Sequence, residues 1–355
     1  MSITCCLNIE PWVNKRVGFT PDLHAEDDPD RYVANIRRQQ EIVREYFAGE
    51  RYVPFAGDAI EPPCVNLGSM IVKGELLGIQ VDPKSGAALS HPWCELETVA
   101  QVEALRIPDI RQCPGYAQKL RKYRDLAARF DGVIPGRRVG FLWGQCGKAI
   151  ASPMNMVFDL VGEEVFVRML TDPELVHAYF RKVMDIHAML WEVKREVEGQ
   201  DFTSSYLADC TNTMLSPETF VEFALPRNRE FAQRFPRLES HNCGVVTHLL
   251  AHIAAYGPFQ WVEIGWGTDL SRAREFFGES VLLMPRLGVN FMQSFTPEQV
   301  YARTVEILHQ TAAAGPVCLH SNCICPDRTR EETLRTLFAA VADFEAGAAR
   351  VKEQP

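Results

Sequence analysis

Hydrophobic and polar positions alternate in two different ways along most of the chain. Short apolar runs, typical of buried strands, are separated by longer stretches in which apolar residues recur every three to four positions, as in amphipathic helices. The short runs predict strands at residues 138–143, 202–207, 237–240, 261–264, 281–284 and 317–319. The longer stretches predict helices at residues 29–48, 115–130, 153–169, 173–197, 217–234, 245–256, 270–277 and 297–314.

This alternation predicts an α/β protein whose parallel strands are covered by helices. A chain of 355 residues, of which 46% are hydrophobic, is long enough for one barrel-sized domain. Residues 52–91 are expected to form further strands and loops. We therefore expect a (β/α)8 TIM barrel, in which about seven strands are recognisable and the eighth is inferred from closure of the barrel. Residues 51–355 are assigned to the barrel, and residues 1–50 to an N-terminal extension of helical or irregular structure.

Composition and charge narrow the classes of partner. The net charge is -9 without a long Lys/Arg cluster, which argues against binding of nucleic acid or of an anionic membrane surface. No apolar run reaches membrane-spanning length, and the first residues lack the pattern of a secretion signal. The eleven cysteines are odd in number and irregularly spaced, so they predict free thiols in a reducing compartment. We expect a cytoplasmic protein with small-molecule or protein partners.

A histidine and a cysteine, His241 and Cys243, lie two positions apart directly after the predicted strand at 237–240. In an extended strand such residues point to the same side, so both can bind one metal ion. A predicted helix follows at 245–256, which places the pair at the carboxyl end of a barrel strand, where TIM barrels carry their active sites. The alternative interpretation is a packed strand end, since free cysteine behaves as a small buried hydrophobic residue.

Three further thiols lie close together near the C-terminus, at Cys318, Cys323 and Cys325. Cys243 and Cys323 are about 80 residues apart, or three βα units, which brings both to the same rim of one barrel. One histidine and two cysteines with a fourth position left open are typical of a catalytic zinc site. Zinc at such a site holds an incoming thiol as thiolate.

The sequence around these ligands resembles the uroporphyrinogen decarboxylase superfamily, and within it the branch of zinc-dependent cobamide methyltransferases. The His-x-Cys-Gly motif of that branch is present at residues 241–244. Aligning Cys323 with the cysteine of the late motif Gly-Cys-x-x-Pro-x-x-Thr-Pro places Pro326 and Thr329 in register. Residues 216–226 also resemble the Ser-Pro…Pro helix of the superfamily, so the resemblance covers roughly the C-terminal half of the chain.

The resemblance implies that His241, Cys243 and Cys323 hold zinc, and that a zinc-bound thiol accepts a methyl group from a corrinoid carried by a separate corrinoid-binding protein. An alternative is the reverse partner, which demethylates a methoxy or amine compound onto the corrinoid. Less favoured are a porphyrin-type decarboxylase and a non-catalytic accessory protein. Uroporphyrinogen decarboxylases carry an N-terminal Arg-Gln-Ala-Gly-Arg motif, which is absent from residues 51–58.

The late motif also departs from the pattern of the superfamily. Asn322 replaces the glycine before the third ligand, Arg330 replaces the final proline, and Cys325 adds a thiol. The third ligand is therefore open among Cys323, which matches the motif best, Cys325 and Cys318.

Two acidic residues at predicted strand ends are candidate catalytic groups. Asp209 follows an apolar strand and can polarise a substrate or orient a metal ligand; a helix-capping role is the alternative. Glu263 lies on the otherwise apolar strand at 261–264, so we expect its side chain to point into the barrel rather than to a solvated rim.

Three further residues are candidates for substrate binding. Arg286 and Asn290 follow the predicted strand at 281–284 and can bind a carboxylate, sulfonate or phosphate. His320 lies near the proposed ligands and can also act as a hydrogen-bond donor beside them. Residues 185–190 partly match the cobalamin-binding pattern Asp-x-His-x-x-Gly, but Leu190 replaces the glycine within a helical pattern, so we expect no corrinoid site there.

Overall fold

The computed structural model describes residues 3–20, 28–52, 64–66, 68–82, 88–130, 139–142, 149–199, 204–321 and 325–352. The strands within these residues are β1 (Ile3–Cys6), β2 (Cys64–Asn66), β3 (Gly140–Leu142), β4 (Ala149–Ala151), β5 (Ser204–Ala208), β6 (Arg237–Asn242), β7 (Phe259–Ile264), β8 (Leu282–Leu287) and β9 (Val317–Ser321).

These strands form two parallel sheets. Seven of them pair in the order β1-β9-β8-β7-β6-β5-β4, and β2 pairs with β3. From β4 to β9, strands that follow one another along the chain are neighbours, and β1 lies beside β9, which is the strand order of a TIM-barrel wall. The predicted α/β barrel is therefore confirmed.

Helices connect and cover the strands. They are α1 (Glu10–Val17), α2 (Pro29–Tyr46), α3 (Val99–Ala104), α4 (Pro114–Phe130), α5 (Pro153–Val161), α6 (Glu164–Thr171), α7 (Pro173–Glu198), α8 (Pro217–Thr219), α9 (Leu225–Ala232), α10 (Leu250–Ala254), α11 (Leu270–Phe277), α12 (Val289–Ser294), α13 (Pro297–Thr311) and α14 (Glu331–Lys352). Several begin with proline behind a capping side chain; Thr296, for example, caps α13 by accepting the N–H of Gln299. None of the described helices is long and apolar enough to cross a membrane.

Two predicted helices are interrupted. The predicted helix at 153–169 is two helices, α5 and α6, because Gly162 between them has a φ of 75°. The predicted helix at 217–234 opens into a π-helical turn at Phe220–Ala224. Pro226 follows that turn and has no N–H to donate to the preceding turn, which explains the wider spacing there.

Two short strands, β1 and β4, had no counterpart in the predicted pattern because three or four residues are too few to show a period, whereas β2 lies within the strands and loops expected at 52–91. β1 belongs to the segment that was expected to be an extension, yet it pairs with β9 in the main sheet. The indole Nε1 of Trp12 in α1 donates to the carbonyl of Thr329 at 2.9 Å, which ties this segment to the C-terminal part of the chain. The domain boundary at residue 50 stays a prediction.

The segment that resembles a cobalamin-binding motif lies inside the long helix α7. His187 is fully buried, and its ring packs edge-on against Phe231 with centroids 5.8 Å apart. Burial lowers the pKa of His187 to about 3, so the imidazole is neutral in the core. This arrangement agrees with the expectation that the segment is ordinary helix.

Candidate metal centre

A histidine and two cysteines come together at the carboxyl ends of β5 and β6. One ligand atom from each of Cys210, His241 and Cys243 lies within 4.8 Å of the other two. His241 is on β6, Cys243 is the first residue after β6, and Cys210 is the second residue after β5. The carboxyl ends of the strands are where TIM barrels carry their active sites, so this group is the candidate metal centre.

The pairing of the strands places Cys210 opposite Cys243. Ala208 on β5 is in register with His241 on β6, and the backbone N–H of Asp209 donates to the carbonyl of His241 at 2.9 Å. Two residues beyond this register, Cys210 and Cys243 leave their strands side by side. Side chains two positions apart on extended backbone share a face, which places the thiol of Cys243 on the side of His241. Cys210 begins the 3-10 helix Cys210–Met214, and its thiol lies close to both residues.

Glycines allow the loops that carry the cysteines to approach closely. A Cβ on Gly265 would lie 2.2 Å from the carbonyl oxygen of Gly244 and 2.6 Å from the carbonyl carbon of Cys243. A Cβ on Gly244 would lie 2.6 Å from the methyl group of Thr213. The glycine that follows His-x-Cys therefore serves packing, because only a residue without a Cβ fits between the ends of β5, β6 and β7.

Glu263 supports His241 from the neighbouring strand. It is in register with His241, and its carboxylate is hydrogen-bonded to the Nδ1 atom of that imidazole. The Nη1 atom of Arg286 lies 3.1 Å from the same carboxylate oxygen, and the Nε2 atom of His320 lies 3.8 Å from the other oxygen. The same Nη1 atom lies 2.8 Å from Nδ1 and 3.1 Å from Nε2 of His241, so the guanidinium also contacts the imidazole. Nε2 is the nitrogen that a metal ion would use, with the carboxylate of Glu263 on the other side of the ring.

The negative charge of Glu263 is balanced by the basic side chains around it. Burial raises the pKa of Glu263, but the hydrogen bond from His241 and the charges of His241, His320 and Arg286 outweigh it, so the net shift is downward. Burial likewise lowers the pKa of His241, but its hydrogen bonds to Cys243 and Glu263 produce a net rise. Glu263 is therefore a carboxylate that balances the charge of Arg286 and accepts a hydrogen bond from the imidazole of His241.

The surroundings shift the pKa values of the two thiols in this group in opposite directions. The hydrogen bond from Cys210, followed by that from His241, lowers the pKa of Cys243 to about 4. The hydrogen bond to Cys243 and burial both raise the pKa of Cys210. Cys243 is thus a thiolate at neutral pH and is ready to bind a cation.

This donor set fits a zinc ion. Zinc prefers imidazole nitrogen and thiolate sulfur at bond lengths of about 2.0 to 2.3 Å, which places ligand atoms roughly 3.5 Å apart in a tetrahedron. Donor atoms within 4.8 Å of one another reach that spacing through side-chain movements of about 1 Å. A carboxylate on the far nitrogen of the histidine is the expected support for such a ligand.

Several predicted site residues lie elsewhere. Asp209 is fully buried and faces the helices, where it accepts from Asn228 at 3.3 Å and from the hydroxyl of Tyr256 at 3.2 Å. Burial raises the pKa of Asp209 to about 6. Asn290 is exposed on α12. The structure therefore does not bring these two residues to the metal centre, whereas Glu263, Arg286 and His320 are brought together beside His241.

The three candidates for the third ligand have different positions. Cys323 lies outside the described residues, so its role stays a prediction. Cys325 is buried, its N–H donates to the carbonyl of Asn8 at 2.9 Å, and burial raises its thiol pKa to about 11. Cys318 is buried on β9, where its thiol is hydrogen-bonded to Cys6 of β1. Neither Cys318 nor Cys325 belongs to the group around His241.

The sequence argument overlooked Cys210 as a ligand. A usable signal was present, because Cys210 comes two residues after the end of β5 and Cys243 comes one residue after the end of β6. The predicted strand at 202–207 ended one residue too early and gave no register between the two strands. Without that register the acidic neighbour Asp209 was the more obvious candidate.

Replacing Glu263 with glutamine should weaken zinc binding by roughly 10- to 100-fold, the usual effect of losing a carboxylate behind a histidine ligand. The amide keeps the size of the side chain but leaves Arg286 without its counter-charge beside the imidazole. Zinc affinity is measured by competition with a chromophoric chelator. Glu306→Gln, at an exposed surface ion pair, is the matched control. Equal affinity in Glu263→Gln and wild type would contradict the supporting role.

The fold and this group together define a TIM-barrel protein with a candidate metal centre at the carboxyl ends of its strands. Residues 66–344 match the family model described as Uroporphyrinogen decarboxylase (URO-D). The chain belongs to this family, which confirms the resemblance seen in the sequence.

Curated relatives carry two different names. A methylated-thiol--coenzyme M methyltransferase of Methanosarcina mazei is 27% identical over 70% of this chain and 64% of its own length. The chain thus spans slightly less than two thirds of that relative. A uroporphyrinogen decarboxylase of Chlorobium phaeovibrioides is 26% identical over 73% of each chain.

A solved structure, a methyltransferase from Methanosarcina mazei, has the same fold. The TM-score is 0.59, with 17% sequence identity, and the superposition covers 97% of this chain and 93% of the other. At this identity the likeness extends to the fold alone.

Proposed function

We propose that the protein is a zinc-dependent methyltransferase that moves a methyl group between a corrinoid-binding protein and a small-molecule thiol in the cytoplasm. The observation that carries the proposal is the group of His241, Cys243 and a further thiol at the carboxyl ends of the strands in a URO-D barrel. Similarity to a methylated-thiol--coenzyme M methyltransferase supports the same reaction class.

The proposed zinc ligands are His241, Cys243 and Cys323. Zinc, when bound, holds an acceptor thiol as thiolate at neutral pH, where a free thiol with a pKa near 8.5 is mostly protonated. Glu263 fixes the tautomer of His241 by accepting from its Nδ1–H, and Arg286 keeps that carboxylate ionised. Cys243 is exposed, so the acceptor can reach the centre from the open end of the barrel.

Arg286 and His320 are the proposed substrate-binding groups of the described cluster. Arg286 already contacts Glu263 and is only 2% exposed, so its proposed contribution is positive potential beside an anionic substrate. His320 is half-buried on the same face and lies in register with Arg286. The corrinoid is proposed to arrive on its own protein.

Decarboxylation is the second candidate, favoured by the relatives named uroporphyrinogen decarboxylases. The cysteine and histidine group argues against it, because decarboxylation of a porphyrinogen has no need for a thiolate metal site. Demethylation of a methoxy or amine compound remains an alternative on the donor side of the same pathway.

An assay with methylcobalamin and a panel of thiols tests the proposal. Methylcobalamin should be consumed, as followed by its absorbance, only when zinc-loaded protein and a suitable thiol are both present. If no thiol supports consumption, and the protein instead transfers a methyl group from an ether or amine to reduced cobalamin, the protein is the demethylase that loads the corrinoid. Carbon dioxide released from a uroporphyrinogen substrate would contradict the methyltransferase proposal.

A further inference from the structure

A second group of polar side chains lies between the outer face of β5 and β6 and the helices that cover it. Four of its members are fully buried: Asp209, Asn212, Asn228 and Asn242. Burial of a carboxylate or an amide costs free energy unless its polar atoms are hydrogen-bonded or bind an ion. Four such side chains at one place therefore need partners.

The register of the two strands brings part of this group together. Ala208 pairs with His241, so the next residues along the chain, Asp209 and Asn242, are neighbours. Successive side chains on extended backbone point to opposite faces, which places these two on the face away from His241. The amide of Asn242 donates to the hydroxyl of Ser240 on the same face at 3.0 Å.

Side chains from the covering layer reach the carboxylate of Asp209. The amide of Asn228 in α9 and the hydroxyl of Tyr256 both donate to its Oδ2 atom, at 3.3 and 3.2 Å. Asn212 belongs to the 3-10 helix Cys210–Met214. Burial raises the pKa of Asp209, and the side chain of Asn212 is among the groups that oppose this rise, so it also lies beside the carboxylate. Asp209 is therefore at the middle of the group.

Several atoms of this group have no hydrogen-bond partner among the residues that the structure describes. They are the Oδ1 atoms of Asp209, Asn228 and Asn242 and both amide atoms of Asn212. Amide and carboxylate oxygens accept hydrogen bonds and do not donate them, so these oxygens cannot satisfy one another. A water molecule has two protons to donate, whereas one cation can contact all four oxygens.

The chemistry of these oxygens selects the kind of cation. Carboxylate and amide oxygens are ligands of hard cations, whereas zinc and other softer metals prefer imidazole and thiolate. Calcium and magnesium are usually bound by more than one carboxylate or by phosphate. A single buried carboxylate among neutral amides balances a single positive charge.

We infer that Asp209, Asn212, Asn228 and Asn242 form a buried site for an alkali cation, sodium or potassium. The site is on the opposite face of the strands from His241 and does not depend on the proposed methyl transfer. An ion bound to Asp209 and Asn242 joins the ends of β5 and β6. It therefore holds in place the two segments that carry Cys210 and Cys243.

Thermal unfolding of the full-length protein in sodium, potassium or choline chloride at one ionic strength tests this inference. Choline is too large for a buried site, so the alkali ion that binds should raise the unfolding temperature by about 3 °C at about 100 times its Kd. Asp209→Asn removes the charge at nearly constant volume and should abolish the rise. Asp327→Asn, at an exposed ion pair, is the matched control and should keep it.

Asn212→Ala is a second variant, which leaves the carboxylate in place. It should raise the cation concentration needed for half of the effect by roughly 10-fold or more, as expected for one lost contact to a charged group. This variant decides the question if Asp209→Asn does not fold. An unchanged half-saturation in Asn212→Ala would contradict the site, because the amide would then contact no ion.

Equal unfolding temperatures in the three salts would overturn the inference, since water molecules alone would then fill the space between the four side chains. A rise that persists undiminished in a folded Asp209→Asn protein would place the cation elsewhere and would overturn it as well. None of these results depends on zinc content or on methyl transfer, so they leave the test of the proposed function separate.

Discussion

Cys243→Ala is expected to reduce bound zinc from about one ion per chain to less than about a tenth of one, because an open site with a lost ligand has little affinity left. Cys243 is the thiolate of the described group, with a pKa lowered to about 4. Methyl transfer should fall by roughly 1000-fold, since several kcal/mol of thiolate stabilisation disappear with the metal. Metal content is measured by elemental analysis after desalting, and activity by methylcobalamin consumption.

The control for this variant is Cys94→Ala, whose exposed thiol lies outside the metal centre. Circular dichroism of both variants checks that the barrel remains folded. Stoichiometric zinc in a folded Cys243→Ala protein would show that the centre lies elsewhere. Zinc loss without loss of methyl transfer would show instead that the metal is not part of the reaction.

The second large effect concerns the third ligand. Cys323→Ala should abolish zinc binding as completely as Cys243→Ala, whereas Cys325→Ala should retain about one zinc per chain. Cys325 is buried, and burial raises its pKa to about 11, so its thiol stays protonated at neutral pH. Its backbone N–H donates to the carbonyl of Asn8, which lies shortly after β1 in the chain.

These two variants form a matched pair, because each removes one thiol from the same short segment. Zinc analysis and thermal unfolding of both proteins separate a lost ligand from a lost packing contact. Loss of zinc in Cys325→Ala and its retention in Cys323→Ala would move the third ligand by two residues. Retention of zinc in both variants would leave Cys210 or Cys318 as the third ligand.

The fold was largely predictable from the sequence, because each of the longer strands and helices buries one face. That burial imposes a regular spacing of apolar residues, which can be recognised in the sequence. β6 to β9 were predicted to within a few residues, and so were α4, α7, α11 and α13. Errors occurred where the pattern is short or where one residue overrides it. β1 is an example of the first kind, and the interruption at Gly162 is an example of the second.

The candidate site was predictable only in part. His241 and Cys243 are close in sequence, so their shared face follows from strand geometry alone. The carboxylate of Glu263 beside His241 was expected only as an inward-facing group, and its hydrogen bond to the imidazole depends on the register of β6 with β7. The orientation of Asp209 could not be predicted, because a strand end does not reveal which of two neighbouring side chains faces the barrel; in the structure its carboxylate contacts Asn228 and Tyr256.

The sequence by itself thus determined the α/β barrel, the family and the pair of His241 and Cys243, because periodicity and short motifs are local properties. Only the tertiary structure decided that Cys210 joins this pair, that Arg286 balances Glu263, and that Cys325 is buried outside the centre. Those outcomes depend on which strands are neighbours and in which register they pair. Register is set by packing across the whole barrel, and no short stretch of sequence contains it.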